Sequence, residues 1–335
     1  MFLLVIPAVL AACGSTPDTA TADRRSDASQ RATLLDADRT LIANARRHLA
    51  DDQPERAQSL LDDWISDEGN AVSPYYPEAL YLRGNAKLAQ GEEFDCLYDY
   101  ERVARHHAAS DVFASVLERE LDVAIMYLNG LSRPFLGMRV NFDGGGNGAI
   151  KIAEEIILRV NERLPGSLLA ERGLLELADY YYRTRDLPMA AETYDVFLDA
   201  FPRSAKRPMA LQRRAFATIA QYKGPLNDPS GLIEAKLQIE QFQREFPVDA
   251  ERLGMSDALR ARLDESAAEQ LVVTARWYLD RGDDPAARLV LTRLLYTHPA
   301  SGAARDALAM FEKQKWPLPG TAAPAPAATT AEPGK

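Results

Sequence analysis

The chain has 335 residues, of which 47% are hydrophobic and 26% charged, with a formal net charge of −10 at pH 7. That much apolar material builds a sizeable core and excludes both a wholly disordered chain and a polytopic membrane protein. The acidic balance, with no basic run to offset it locally, gives no attraction for a nucleic-acid backbone and excludes that class of partner. The two cysteines, Cys13 and Cys96, sit in unrelated contexts, so no disulfide framework is implied and packing must hold the fold.

The first twelve residues, MFLLVIPAVLAA, are too few to cross a bilayer as a helix, which takes about 20 apolar residues. They read as the apolar region of a signal peptide. The Leu10-Ala11-Ala12-Cys13 run resembles a bacterial lipobox, which implies a diacylglyceryl group on the Cys13 thiol and Cys13 as the mature N-terminus. Gly14, where lipoproteins retained in the inner membrane carry Asp, points the anchor by analogy to the periplasmic face of the outer membrane. From Cys13 to Leu35 the composition is rich in Ser, Thr, Asp and Ala, and the reading is a disordered tether.

Helical periodicity begins near Asp36 and recurs in pairs. Leu41, Ala45 and His48 form one face; after the turn Asp51-Asp52-Gln53-Pro54, Ala57, Leu61 and Trp64 form the next. His48 fills a packing position and no metal ligand stands near it. The second pair carries Leu80, Gly84 and Lys87, then Cys96, Tyr100 and Val103, with Cys96 as a small buried residue and His106-His107 closing the helix. The third opens with Ala124 and Tyr127 and resumes at Ala153, Ile157 and Val160, interrupted by the insertion LSRPFLGMRVNFDGGGNG. The glycines of that insertion lack the Gly-Lys-Ser/Thr ending of a phosphate loop, so no nucleotide is expected, and its apolar residues read as packing on the helices.

The stretch from Glu171 to Ser204 is the clearest copy. Leu174, Leu177, Ala178 and Tyr181 share one helical face; beyond the break at Thr184-Arg185-Asp186, Ala190, Tyr194 and Phe197 share another, and Pro202 stops the second helix. Spacing and residue types resemble a tetratricopeptide repeat of about 34 residues. A stretched fifth pair uses Ala215, Thr218, Ala235, Ile239 and Phe242; the sixth uses Leu271, Ala275, Tyr278, Ala287, Leu291 and Leu294, and Gly302–Gln314 reads as a capping helix. The expected fold is therefore all-α: a right-handed superhelical solenoid of about six helix pairs with a C-terminal cap. Its expected divisions are a signal peptide at 1–12, a lipidated tether at 13–35, the solenoid at 36–316, and a disordered Pro/Ala-rich tail at 317–335.

No nucleophile elbow, zinc-binding helix or metal-spaced His and Cys set is present, so neither enzyme chemistry nor a cofactor or metal is expected. Stacked helix pairs instead offer a groove lined by first helices. Arg172, Asp179, Tyr182 and Arg183 stand off the packed face of the central first helix, and Arg46, Tyr81, Asn85 and Arg276 hold equivalent places elsewhere; these are the candidate partner-binding residues.

The Ala178 to Arg183 run, with Ala191-Glu192, Tyr194, Phe197-Leu198 and Phe201-Pro202-Arg203-Ser204, followed by Tyr222-Lys223-Gly224-Pro225 and Phe242 to Pro247, resembles the BamD/ComL-type outer-membrane assembly lipoproteins over residues 36–300. The resemblance implies a scaffold in the assembly of β-barrel outer-membrane proteins. It would dock on the periplasmic domains of the barrel-forming assembly protein, read unfolded client peptides, and meet the membrane through its lipid. The alternative is a repeat scaffold of another envelope pathway, such as peptidoglycan or secretion-complex assembly.

Overall fold

The computed structural model of the chain describes residues 19–130, 133–135, 138–140, 148–228 and 230–319. The signal peptide, Cys13, most of the Gly-rich run and residues 320–335 of the tail lie outside them. The chain divides into two compact units, residues 1–123 and 124–335, with the division inside one helix.

In the first unit, α1 (Thr19–Ala50), α2 (Pro54–Ile65), a 3₁₀ turn (Glu68–Val72), α3 (Tyr76–Ala89) and α4 (Glu93–His106) precede α5 (Phe113–Leu128), which crosses the division. Each of the first three helices packs on the next. The expected small and large residues are inside: Ala45, Ala57, Leu61, Leu80, Cys96, Tyr100 and Val103 are all buried. The Cys96 thiol donates to the Glu93 carbonyl at 3.1 Å, and burial, with Asp99 nearby, pushes its pKa up to about 12, so it stays protonated. His48 faces the Gln53 side chain at 3.2 Å, in the packing role expected of it. Gly84 is required by close approach: a Cβ there would lie 2.4 Å from Tyr100 Cε1.

A buried carboxylate ties three of these helices together. Asp99 on α4 accepts from Arg83 Nε at 3.0 Å and from Lys87 Nζ at 2.9 Å, both on α3, while Arg83 Nη1 reaches Asp62 on α2 at 2.9 Å. The Asp99 side chain is only 4% exposed, so the two cations are what make an ionised group tolerable there.

In the second unit, α6 (Gly148–Arg163), α7 (Leu168–Thr184), α8 (Leu187–Ala200), α9 (Arg207–Ala220), α10 (Ser230–Glu245), the single turn α11 (Pro247–Ala250), α12 (Asp257–Leu279), α13 (Asp284–Thr297) and α14 (Gly302–Lys313) follow. The central pair forms as its sequence requires. Ser167 caps α7 through the Ala170 N–H, Arg185 takes the left-handed conformation at φ 66°, Asp186 caps α8, and Pro188 sits in its first turn. Ala178, Ala190, Tyr194 and Phe197 are fully buried at the α7–α8 contact. α14 closes the unit, placing Phe311, Ala303, Ala304 and Ala307 on Ala268, Val272, Ala275 and Leu291, with Trp316 5.6 Å from Phe311.

Three features depart from the sequence reading. The segment read as a disordered tether is helical from Thr19, because no Gly or Pro interrupts the run to Ala50; its side chains from Ala32 to Ala37 are exposed. The insertion carries two short antiparallel strands, β1 (Arg133–Phe135) and β2 (Met138–Val140), paired Arg133 to Val140 and Phe135 to Met138, within an otherwise all-helical chain. Finally α12 spans 23 residues, well beyond the sixth repeat's first helix, and its added N-terminal half packs on α10.

Candidate functional site

The candidate residues of α7 fall on one stripe, since Arg172, Asp179 and Arg183 are spaced seven and four residues apart, close to whole helical turns. Arg172 and Arg183 are exposed, and Asp179 and Tyr182 are half-buried. Asp179 is already engaged: it accepts from the Tyr194 hydroxyl on α8 at 2.5 Å and forms an ion pair with Arg213 on α9. Arg213 lies 5.8 Å over the Tyr182 ring, whose edge meets Tyr194 with centroids 6.3 Å apart. Burial would lower the Arg213 pKa, but its bonds to Asp179 and Tyr194 outweigh that and hold the guanidinium charged. Burial and the Asp179 bond together raise the pKa of Tyr194, which stays a neutral donor.

The first unit repeats the arrangement with a neutral acceptor. Asn85 on α3 accepts from the Tyr100 hydroxyl on α4 at 2.8 Å, and Tyr81 lies 6.3 Å from the Tyr100 ring. Arg119 on α5 hydrogen-bonds Tyr81; burial pulls its pKa down and that bond raises it further, so it stays charged. In both units the acceptor and tyrosine are 15 residues apart. The arginine stands 34 residues beyond Asp179, and Arg119 stands at the same interval from Asn85. Tyr100, Tyr194, Arg119 and Arg213 were not among the sequence candidates, although the repeat-length interval linking them was there to be read.

The remaining candidates are separate. Arg46 on α1 is exposed and paired with Glu78 on α3 through Nε at 2.7 Å. Arg276 on α12 is exposed beside a hollow of about 580 Å³ whose wall carries Glu265, Glu269, Arg305 and Asp306. Glu265 is spent there on the N-terminus of α14, accepting from the Gly302 and Ala303 N–H groups at 2.5 and 2.8 Å. Cys13 lies outside the described residues. Among the described residues no group of His, Cys, Asp or Glu is arranged to hold a metal ion, and no helix is long and apolar enough to cross a membrane.

Tyr81, Asn85 and Asp179 are thus fastened inside the repeats, where they fix the angle between a helix pair and the helix that follows, and the arginines carry the exposed charge. Antiparallel helix pairs joined through small residues and closed by a terminal helix define a tetratricopeptide-type repeat protein. A solved tetratricopeptide repeat protein from Parabacteroides merdae is similar to it at 13% identity, over 83% of this chain and 99% of that one, with a TM-score of 0.36. The C-terminal part of a repeat-containing protein from Cytophaga hutchinsonii is similar at 15% identity, over 86% and 98%, with a TM-score of 0.34. No curated protein matches the chain significantly. Residues 146–326, more than half of the chain, match the YfiO family, described as outer membrane lipoproteins. The chain belongs to that family. The matched segment contains the Glu171–Ser204 repeat and the Tyr222-Lys223-Gly224-Pro225 motif on which the sequence resemblance rested.

Proposed function

We propose that this outer membrane lipoprotein is held by a lipid on Cys13 and serves as a scaffold in β-barrel assembly, binding the periplasmic domains of the barrel-forming partner and unfolded client segments. The family match over residues 146–326 carries the reading. The second unit supports it physically, because it presents Arg172, Arg183 and Arg276 on a rigid helical frame, and arginine is a residue type that dominates interfaces. The scaffold reading needs no chemistry from the chain: its tyrosines with raised pKa stay neutral, and its buried thiol is inert.

The test is affinity purification of the full chain from detergent-solubilised envelopes, probing for the barrel-forming assembly protein. Native protein should bring it down, and Arg276→Glu, at an exposed position, should reduce the yield several-fold with the helical spectrum unchanged. Failure of the native chain to co-purify that protein would end the proposal; an unchanged yield from the variant would move the contact off α12.

A further inference from the structure

Between α10 and α13, over a floor made by the N-terminal half of α12, lies a cleft of about 240 Å³. Leu232, Leu263, Ala267 and Leu271 make its apolar wall. Its rim continues outward as large apolar side chains left in solvent: Ile233 and Leu237 on α10 at 49% and 60% exposure, and Leu289 and Tyr296 on α13 at 72% and 68%. Leu237 stands four residues on from Ile233, and Leu289 and Tyr296 stand one turn to either side of Arg293, which lines the cleft. Ile233 lines the cleft itself, and large apolar side chains left in solvent one helical turn from lining residues mark an interaction site where scattered ones would not.

The charges at the cleft are unbalanced in a chain that is acidic overall. Lys236 Nζ donates to Asp264 Oδ1 at 2.6 Å, and His298 Nδ1 meets the same oxygen at 3.0 Å, so the one carboxylate lining the cleft is already engaged. Arg293 lies on α13 between Leu289 and Tyr296 and lines the cleft, and its guanidinium has no partner among the described residues. Glu240, one turn beyond Leu237, stands 3.8 Å from Arg260. What fits is a large apolar side chain for the cavity, further apolar residues for the rim, and an acid for Arg293.

We propose that this cleft is a docking site for an acidic amphipathic helix of a partner protein, which seats one large apolar side chain on Ala267 and pairs a carboxylate with Arg293. The inference stands whether or not the partner is the barrel-forming protein. The rim extends well past the cavity, which favours a polypeptide over a free small molecule, and a helix presents apolar residues at the same three- and four-residue spacing.

The probe is a capped amphipathic peptide of about 18 residues, long enough to populate helix, with leucines on one face and glutamates flanking them, compared with the same peptide carrying lysines. Calorimetry with the full chain should show the acidic peptide binding about tenfold or more tightly than the basic one. Arg293→Glu should remove or reverse that preference, and Ala267→Phe, by filling the cavity, should abolish binding of both. Arg293 is exposed, so its variant keeps the test open should Ala267→Phe fail to fold. Equal affinity for the two peptides, or undiminished binding by Ala267→Phe, overturns the proposal. So does self-association of the chain that is abolished by either Arg293→Glu or Leu34→Glu, which would make the occupant the exposed Leu34-Leu35-Asp36 segment of a second copy.

Discussion

Placing a methyl group at position 84 sets two effects of known sign against each other. Gly84 lies within α3, where alanine is favoured over glycine by about 1 kcal/mol, so propensity alone predicts a more stable protein. The added Cβ would stand 2.4 Å from Tyr100 Cε1, 2.9 Å from Cδ1 and 3.0 Å from Cζ. Tyr100 is fully buried and its hydroxyl is bonded to Asn85 at 2.8 Å, so the ring has no free space to retreat into. Overpacking of this kind costs about 1–3 kcal/mol. Displacing the ring also strains or breaks the hydroxyl bond, at about 0.5–1.5 kcal/mol. Against the propensity gain, Gly84→Ala should destabilise by roughly 2 kcal/mol. Urea unfolding followed by far-ultraviolet circular dichroism measures this directly, and Tyr100→Leu supplies the second arm. With the ring gone, Gly84→Ala should cost much less, leaving a coupling between the two positions well above experimental error. A higher urea midpoint for Gly84→Ala alone would show that α3 and α4 are not in close contact at this point.

Four further outcomes follow from the same structure. Ala178→Leu, at the fully buried α7–α8 contact, should cost about 1–3 kcal/mol by the same unfolding measurement, and a loss within error would mean that Ala178 is not at the contact. Asp99→Ala leaves Arg83 and Lys87 without their buried carboxylate and should cost about 3 kcal/mol, whereas Asp95→Ala on the exposed side of α4 should cost little; equal losses would refute the buried-pair account. Arg207 holds the Glu245 carboxyl below its ordinary pKa, and at Asp264 the Lys236 and His298 bonds outweigh the upward push of burial. Both folded pKa values lie below the unfolded ones, so the stability they contribute is present above the ordinary carboxylate range and is lost as pH falls through it towards the folded values. Glu245→Gln should flatten part of that acid-side loss in denaturation midpoints, and an unchanged slope would show that the pair contributes nothing. Cys13→Ser should move the protein from the detergent phase to the aqueous phase while it keeps its helical spectrum; unchanged partitioning would put the anchor elsewhere.

What the sequence determined by itself is what a local period can encode. Ala178 and Ala190, with Tyr181, Tyr194 and Phe197 at helical spacing, allow only paired helices, and the Asp186 cap, Pro188 and the break at Arg185 fix where they turn. The capping helix was legible for the same reason, from Ser301 at its N-cap to the apolar face that Phe311 completes. Only tertiary structure decided what the polar residues do. Asn85 on α3 and Asp179 on α7 each stand off the packed face, and nothing within either helix shows that a tyrosine 15 residues on donates to it. Lys236 lies on α10, Asp264 on α12 and His298 at the C-cap of α13, and they meet only because the long α12 slides its first half beneath α10 and α13. A hydrophobic period places a residue on a face, whereas its bonding partner depends on how the next helices are stacked.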